Sequence, residues 1–281
     1  MIKSSDCIFK KISLFPQTIS DEDISKLIYT IYTTTQFSTI PYKCYNETSS
    51  KSSMMKYRSG SCIALVEAAK YYLKSNLDIN GYIIPANTPN IIKIPGTPNL
   101  SHCAILIPKS YTEFYIFDPA FYFMEFMYCD LENNIKRQIK SSNPYADITY
   151  SIEYTIKPCT HLLLDQKYNQ KLLNDCSLVE CSINNSGLSD SWNYYLNEIK
   201  NPDDNIGESL LINKPHPFLL YTIFDNNCPK IKYKMTFKNG IITIYKYPAN
   251  KISFNNTIAR FENSFIKQEL NKYLSKTHKL S

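Results

Sequence analysis

Glycine, histidine and tryptophan are scarce in this chain. Its 281 residues include 6 glycines, 4 histidines and 1 tryptophan. Loops that bind nucleotide phosphates need several glycines at fixed spacing, and neither a Walker nor a dinucleotide fingerprint occurs. The sequence therefore argues against the nucleotide-motif enzymes. The small number of histidines also makes the search for a catalytic base short.

Membrane-length apolar runs, Cys-x-x-Cys pairs and clusters of basic residues are also missing. The first residues lack the apolar core that is typical of a signal peptide. The 9 cysteines are irregularly spaced, which favours neither a disulfide framework nor a zinc site. The net charge of +6 is scattered, whereas nucleic-acid binding needs clustered basic residues. We expect a cytoplasmic protein with reduced thiols, no metal, and neither a nucleic-acid nor a membrane partner.

Apolar and aromatic residues, by contrast, are plentiful enough for a hydrophobic core. Hydrophobic residues make up 43% of the chain and aromatic residues 14%. Helical spacing predicts an N-terminal helix over residues 19–32 and a C-terminal helix over residues 258–274. Alternation of polar and apolar residues predicts strands and one hairpin with an Asn-Gly turn, at residues 102–107, 114–118, 147–156 and 231–247.

The order of these elements predicts an α+β fold in three parts. Residues 1–80 form a helical region, residues 81–206 an antiparallel β region, and residues 207–281 a hairpin followed by a helix. Within this scheme, residues 46–53 are expected to form a loop. The mostly polar residues 184–206 are expected to form an insertion or an interdomain connection.

Cys62 is the candidate nucleophile. Residues 58–62 have the sequence Arg-Ser-Gly-Ser-Cys and precede a helical pattern that continues to about residue 76. The N–H groups and dipole at the start of a helix stabilise an anion, and the thiolate is the nucleophilic form of cysteine. Gly60 allows a sharp turn, which we expect to leave the sulfur accessible. The alternative is a buried, inert cysteine.

His102 and Asp118 are the candidate base and orienting group. His102 opens the first of two predicted antiparallel strands and Asp118 ends the second, so pairing brings the two residues together. Period-two alternation is compatible with both side chains pointing the same way. The predicted roles are attack on an acyl carbonyl by Cys62, proton transfer by His102, and orientation of the imidazole by Asp118.

Two other interpretations fit less well. In papain-like proteases the histidine lies about 130–150 residues after the cysteine, where this chain offers only His216 between two prolines. A metal site built on His102 and Cys103, or on His161 and Cys159, lacks a second ligand pair at a usable spacing. Adjacent strand residues also point to opposite faces.

These residues resemble the arylamine N-acetyltransferase family, within the wider transglutaminase-like cysteine superfamily. That family has an Arg-Gly-Gly-x-Cys segment, which this chain matches at Arg58, Gly60 and Cys62, with a serine at position 59. His102 and Asp118 lie at the family's distances. Its Asp-Val-Gly-Phe-Gly stretch is matched at Asp118 and Phe121 within residues 118–122, and its Ile-Pro-Phe-Glu-Asn segment is echoed at residues 40–42.

The resemblance implies N-terminal helices with the nucleophile at a helix start, an antiparallel β-barrel or sheet, and a C-terminal α/β lid. It also implies a ping-pong reaction of a monomer, in which Cys62 is acetylated by acetyl-coenzyme A and passes the acetyl group to an arylamine or similar amine. Phe121 and Tyr42 would line the acceptor pocket.

Two further functions stay open. Transglutaminase-like peptidases, amidases and crosslinking enzymes use the same triad order, because the triad activates the sulfur and the pocket selects the substrate. The departures from the motif also allow an inactive binding protein that keeps the fold.

Overall fold

The structure is a computed structural model that describes most of the chain between residues 19 and 252. The described ranges are residues 19–88, 100–143, 148–158, 177–185, 188–203, 218–225, 228–238, 241–246 and 250–252. Among the helices of these ranges, none is long and apolar enough to cross a membrane.

The helices of the described residues lie in the N-terminal part, and the sequence gives clear reasons for the first of them. Its N-terminus has a capping box, in which the Ser20 hydroxyl accepts from the N–H of Asp23 and the Asp23 carboxylate accepts from the N–H of Ser20. Leu27, Ile28 and Ile31 form its buried face. The helices are α1 (Asp21–Thr34), α2 (Ile40–Tyr45), α3 (Ser50–Tyr57) and α4 (Cys62–Leu77).

An eight-stranded antiparallel sheet forms the centre of the molecule. Its strands are β3 (Tyr82–Ala86), β4 (His102–Pro108), β5 (Glu113–Phe117), β6 (Met127–Asp130), β7 (Arg137–Asn143), β8 (Ile148–Pro158), β9 (Ser177–Asn185) and β10 (Leu188–Tyr195). In space they follow the order β6-β5-β4-β3-β10-β9-β8-β7. The predicted pairing of β4 with β5 is confirmed, with Ile105 opposite Phe117.

The two ends of this sheet approach each other and almost close it into a barrel. Phe123, in the turn between β5 and β6, forms an antiparallel bridge with Ser141 of β7. The N–H of Met124 donates to the carbonyl of Lys140, and the Ser141 hydroxyl donates to the carbonyl of Phe121. Closure satisfies backbone groups that a free sheet edge would leave unpaired.

A second antiparallel sheet contains β11 (Phe218–Asp225), β12 (Cys228–Lys238), β13 (Ile241–Lys246) and β14 (Asn250–Ile252), in that order. The predicted hairpin is confirmed by the pairing of Lys238 with Ile241. A parallel pair of two-residue strands, β1 (Gln36–Phe37) and β2 (Ser59–Gly60), lies next to β11. Ser38 bridges to Leu219, so this sheet is joined to the helical region.

The core lies between α4 and the large sheet. Leu65, Val66, Ala69 and Leu73 of α4 are buried, as are all residues of β4. Tyr32 of α1 is also buried, and its hydroxyl donates to the carbonyl of Phe123 at 2.8 Å. A buried phenol with a partner adds apolar area without an unpaired polar atom.

Two expectations about loops are wrong. Residues 50–53, expected in a loop, begin α3, because Ser49 caps that helix through the N–H of Ser52. Part of residues 184–206 forms β10, an internal strand between β3 and β9, rather than an insertion. Its polar side chains, such as Ser189 and Ser191, alternate with buried Asp190 and Trp192 and face solvent.

Two other predictions concern segments that lie wholly or partly outside the described residues. The C-terminal helix over 258–274 falls outside them. Of the C-terminal part over 207–281, only the four strands of the second sheet are described. The division of the chain into three parts stays a prediction.

Tyr122 has a left-handed backbone conformation, with φ of 56°. Such a conformation costs an L-residue about 1–2 kcal/mol. The tyrosine offsets this cost by burying its ring, which stacks on Tyr32 at a centroid distance of 5.5 Å. The turn after β5 is therefore strained and held by packing.

We expect Tyr122→Ala to be less stable than Tyr122→Gly. Both variants lose the ring, which costs about 3–5 kcal/mol, but only glycine adopts positive φ without strain. The free energy of unfolding from urea denaturation should favour the glycine variant by about 1 kcal/mol. Equal stabilities would contradict strain at this position.

Candidate active site

Cys62 is the first residue of α4 and follows a closely packed turn. Ser61 is the N-cap residue, but its side chain forms no capping hydrogen bond. A Cβ atom on Gly60 would lie 2.5 Å from the Cβ of Ala64 and 2.7 Å from the hydroxyl of Tyr42. The turn therefore requires glycine for space. The uncapped N–H groups and the helix dipole stabilise negative charge on the Cys62 sulfur.

The hydroxyl groups of Tyr42 and Ser50 bind Ser61, the residue that precedes Cys62. The Tyr42 hydroxyl accepts from the N–H of Ser61 at 3.0 Å and donates to the Ser50 hydroxyl at 2.9 Å. The hydroxyls of Ser50 and Ser61 are 3.3 Å apart. All three residues are buried, so this network fixes the start of α4. Tyr42 thus lies against the segment that carries Cys62.

His102 and Asp118 are in direct contact, at the ends of β4 and β5. The Nε2 atom of His102 is 2.5 Å from Oδ2 of Asp118. The same oxygen accepts from the Tyr194 hydroxyl at 2.6 Å, and Oδ1 accepts from the N–H of Phe121 at 2.9 Å. The fully buried carboxylate therefore has three donors, which compensate its charge. Because Nε2 faces Asp118, Nδ1 is the ring nitrogen left for Cys62.

The Cys62 thiol lies close enough to His102 and to Cys103 for both side chains to lower its pKa. The structure thus brings Cys62, His102 and Asp118 together. Strand alternation places the side chains of His102 and Cys103 on opposite faces, yet both affect the pKa of Cys62.

The expectation of an accessible sulfur is wrong for this conformation. Cys62 is 2% exposed and His102 is 3% exposed. The start of α4 packs onto β4, all of whose residues are buried, so the glycine turn brings the sulfur under the surface.

Charge compensation shifts the pKa values of the cysteine and the histidine in opposite directions. The pKa of Cys62 is lowered to about 5, and the interaction with the Cys103 thiol contributes most to this shift. Burial opposes the thiolate, while hydrogen bonding to His102 and the positive charge of its ring favour it. Burial opposes the charged form of His102, but Asp118 and the Cys62 thiolate raise its pKa to about 10. The pair is therefore a thiolate and an imidazolium at neutral pH.

The pKa of Cys103 shifts in the opposite direction from that of Cys62. Burial, followed by the hydrogen bond and the charge of the Cys62 thiolate, raises the pKa of Cys103 well above the ordinary thiol range. Cys103 is therefore a protonated donor beside a thiolate acceptor.

The remaining predicted site residues lie around this group. Phe121 is 6% exposed, and its ring centroid is 4.7 Å from that of Trp192. Arg58 ends α3 in a left-handed conformation, and its carbonyl accepts from the N–H of Gln36. Within the described residues, no cluster of three or more histidine, cysteine or acidic side chains could hold a metal ion.

Tyr194 was not predicted from the sequence. The chain contains 23 tyrosines, and nothing near position 194 distinguishes this one. Only the assignment of β10 as an internal strand would have placed it beside Asp118. For Cys103 the sequence offers one signal, its position next to His102.

Solved structures that are similar to this chain include several arylamine N-acetyltransferases. An arylamine N-acetyltransferase from Bacillus cereus is 15% identical, with 92% of this chain and 95% of that chain covered and a TM-score of 0.54. One from Bacillus anthracis is 14% identical, with 92% and 96% covered and a TM-score of 0.56. One from Salmonella typhimurium is 13% identical, with 95% and 96% covered and a TM-score of 0.50.

The chain has the arylamine N-acetyltransferase fold. No protein-family model and no curated protein sequence matches it. The Bacillus cereus arylamine N-acetyltransferase is described as having a unique Cys-His-Glu catalytic triad. In this chain, the acidic residue bonded to the histidine is Asp118.

We expect iodoacetamide to alkylate Cys62 with a midpoint near the pKa of about 5. Because the pKa is lowered, the thiolate persists at neutral pH and its alkylation slows only as the pH falls through this value. In His102→Gln the midpoint should move upward. Peptide mass spectrometry at each pH measures the rate.

Cys129→Ala is the matched control, because Cys129 is buried and burial raises its own pKa. This variant should keep the wild-type profile. A Cys62 midpoint in the ordinary thiol range in the wild-type protein would rule out the thiolate.

Proposed function

We propose that this protein is a thiol-dependent acyltransferase that moves an acetyl group from acetyl-coenzyme A to an arylamine or similar amine. The observation that supports this most strongly is the buried His102–Asp118 pair, which lowers the pKa of Cys62 at the start of α4, within an arylamine N-acetyltransferase fold. The fold alone is not sufficient evidence for this activity, since one fold serves many functions.

The first half-reaction transfers the acetyl group to the enzyme. The Cys62 thiolate attacks the thioester carbonyl, and the tetrahedral intermediate collapses as the carbon–sulfur bond to coenzyme A breaks. The leaving thiolate takes the proton of the His102 imidazolium, so the products are acetyl-Cys62, neutral His102 and free coenzyme A.

The second half-reaction returns the enzyme to its first state. The amine nitrogen attacks the acetyl-Cys62 carbonyl, and neutral His102 accepts the proton that the nitrogen loses. Collapse releases the amide and restores the thiolate and the imidazolium. Asp118 keeps the ring nitrogen Nδ1 directed at the sulfur and stabilises the positive charge.

Phe121 is proposed to line the acceptor pocket, because its backbone bonds Asp118 and its ring packs beside the triad on Trp192. Tyr42 is proposed to contribute to the same pocket, although its hydroxyl is already bonded to Ser50 and Ser61. Since Cys62 is 2% exposed, binding of the acyl donor must displace side chains that cover the sulfur.

Incubation with acetyl-coenzyme A should add one acetyl group to the wild-type protein. Intact mass spectrometry measures the addition, and peptide mapping should locate it at Cys62. Cys62→Ala should gain none, whereas Cys129→Ala should gain one. Adding an arylamine should then remove the acetyl group from the enzyme.

If the wild-type protein gains no acetyl group, the acetyltransferase proposal fails. Cleavage or crosslinking of casein that depends on Cys62 would then favour the transglutaminase-like peptidases and crosslinking enzymes, which use the same kind of triad. Absence of both reactions would favour an inactive binding protein.

Asp118→Asn should slow acetylation of Cys62 strongly. The variant keeps the shape of the side chain but removes the charge that holds His102 protonated, and equivalent changes in triads cost about 10⁴-fold in rate. Single-turnover mass spectrometry gives the rate, and urea denaturation checks that the variant is folded. A loss below about tenfold would contradict the role of the charge.

A further inference from the structure

The hydroxyl of Tyr42 contacts the two residues that precede Cys62, although it comes from a different helix. Tyr42 belongs to α2 and is 8% exposed. Its oxygen accepts from the N–H of Ser61 at 3.0 Å, and a Cβ atom on Gly60 would lie 2.7 Å from it. One oxygen atom therefore both bonds the turn before Cys62 and fills the space beside its glycine.

The direction of this hydroxyl is fixed by the start of α3. The phenol donates to the Ser50 hydroxyl at 2.9 Å, and the N–H of Ser50 donates to Oδ2 of Asp203 at 2.8 Å. Asp203 follows β10 in the chain, so segments from three parts of the sequence meet here. Because the single proton of the phenol is directed to Ser50, a lone pair of its oxygen is left for the N–H of Ser61.

The start of α4 depends on this contact, because the side chain of its N-cap residue, Ser61, does not cap the helix. The N–H groups of the first turn stabilise the Cys62 thiolate, and this effect is confined to that turn. Its size depends on how the turn is oriented towards the sulfur. A buried N–H without a partner is costly, so loss of the phenol oxygen should make the turn move.

We propose that Tyr42 is a positioning residue for Cys62, whose hydroxyl holds the first turn of α4 in the orientation that stabilises the thiolate. This role rests on Cys62 being the nucleophile of the proposed function, but it involves neither the acetyl group nor the amine. It also differs from the role of the Tyr42 ring in the acceptor pocket, because phenylalanine keeps the ring and lacks the hydroxyl.

Tyr42→Phe tests the hydroxyl alone. The rate at which iodoacetamide alkylates Cys62, followed by peptide mass spectrometry across the pH range, gives the midpoint of thiolate formation. In the variant this midpoint should lie about half a pH unit above that of wild type, the size expected when part of the effect of a helix N-terminus on a charge is lost. Looser packing around the sulfur would instead raise the alkylation rate without moving the midpoint.

Tyr154→Phe is the matched control. Tyr154 lies on β8 and is 4% exposed, and its hydroxyl donates to the carbonyl of Tyr128 at 2.8 Å. The control therefore also removes the hydrogen bond of a buried phenol, but one that binds β6 rather than the turn before Cys62. Its midpoint should equal that of wild type.

Ser50→Ala is the second variant, for the case that Tyr42→Phe does not fold. It removes the acceptor that directs the proton of the phenol, so the hydroxyl is no longer held with a lone pair towards Ser61. The midpoint for Cys62 should again move upward, and an unchanged midpoint in this variant would then count against the proposal.

Two results would overturn the role of the hydroxyl. One is a folded Tyr42→Phe variant whose midpoint equals that of wild type. The other is an upward shift in Tyr154→Phe as large as that in Tyr42→Phe, because the shift would then follow from the loss of any buried phenol hydrogen bond. Neither result depends on acetyl-coenzyme A, so the acetyltransferase proposal can fail while this one holds.

Discussion

The buried carboxylate of Asp118 is the constraint on which the rest of the site depends. An ionised group removed from water costs several kcal/mol unless its charge and lone pairs are compensated. Here the donors are the imidazole of His102, the phenol of Tyr194 and the N–H of Phe121. The carboxylate holds a proton on His102, and the imidazolium in turn stabilises the Cys62 thiolate. The reactivity of the Cys62 sulfur therefore depends on Asp118, which acts on it through His102.

Sheet register explains how these donors converge. Ala86 of β3 lies opposite His102 on one side and opposite Tyr194 on the other, so the three residues form one row across β4, β3 and β10. Side chains in such a row share a face. From this row the phenol of Tyr194 reaches Asp118, as the imidazole of His102 does.

The parts of the site that sequence could predict are those governed by local pattern. Helical spacing after Gly60 located the helix that begins at Cys62, and alternation located the strand pair that joins His102 to Asp118. The fold class followed from the same signals. Tyr194 could not be predicted, because its contact with Asp118 depends on which strands are neighbours in space, and polar residues around it resemble those of a loop. Burial of the sulfur likewise depends on tertiary packing of α4 on β4.

In the turn before Cys62, positions 59 and 60 differ in the space that they leave for a side chain. Ser59 lies in an extended strand, fully buried, with space for a small side chain, and its carbonyl accepts from the Ser53 hydroxyl. Gly60 has no such space, because Ala64 and Tyr42 occupy it. The family pattern has glycine at both positions, but steric exclusion applies only to the second. A pattern meant to detect distant relatives of this fold should therefore require glycine two residues before the cysteine and accept any small residue ahead of it.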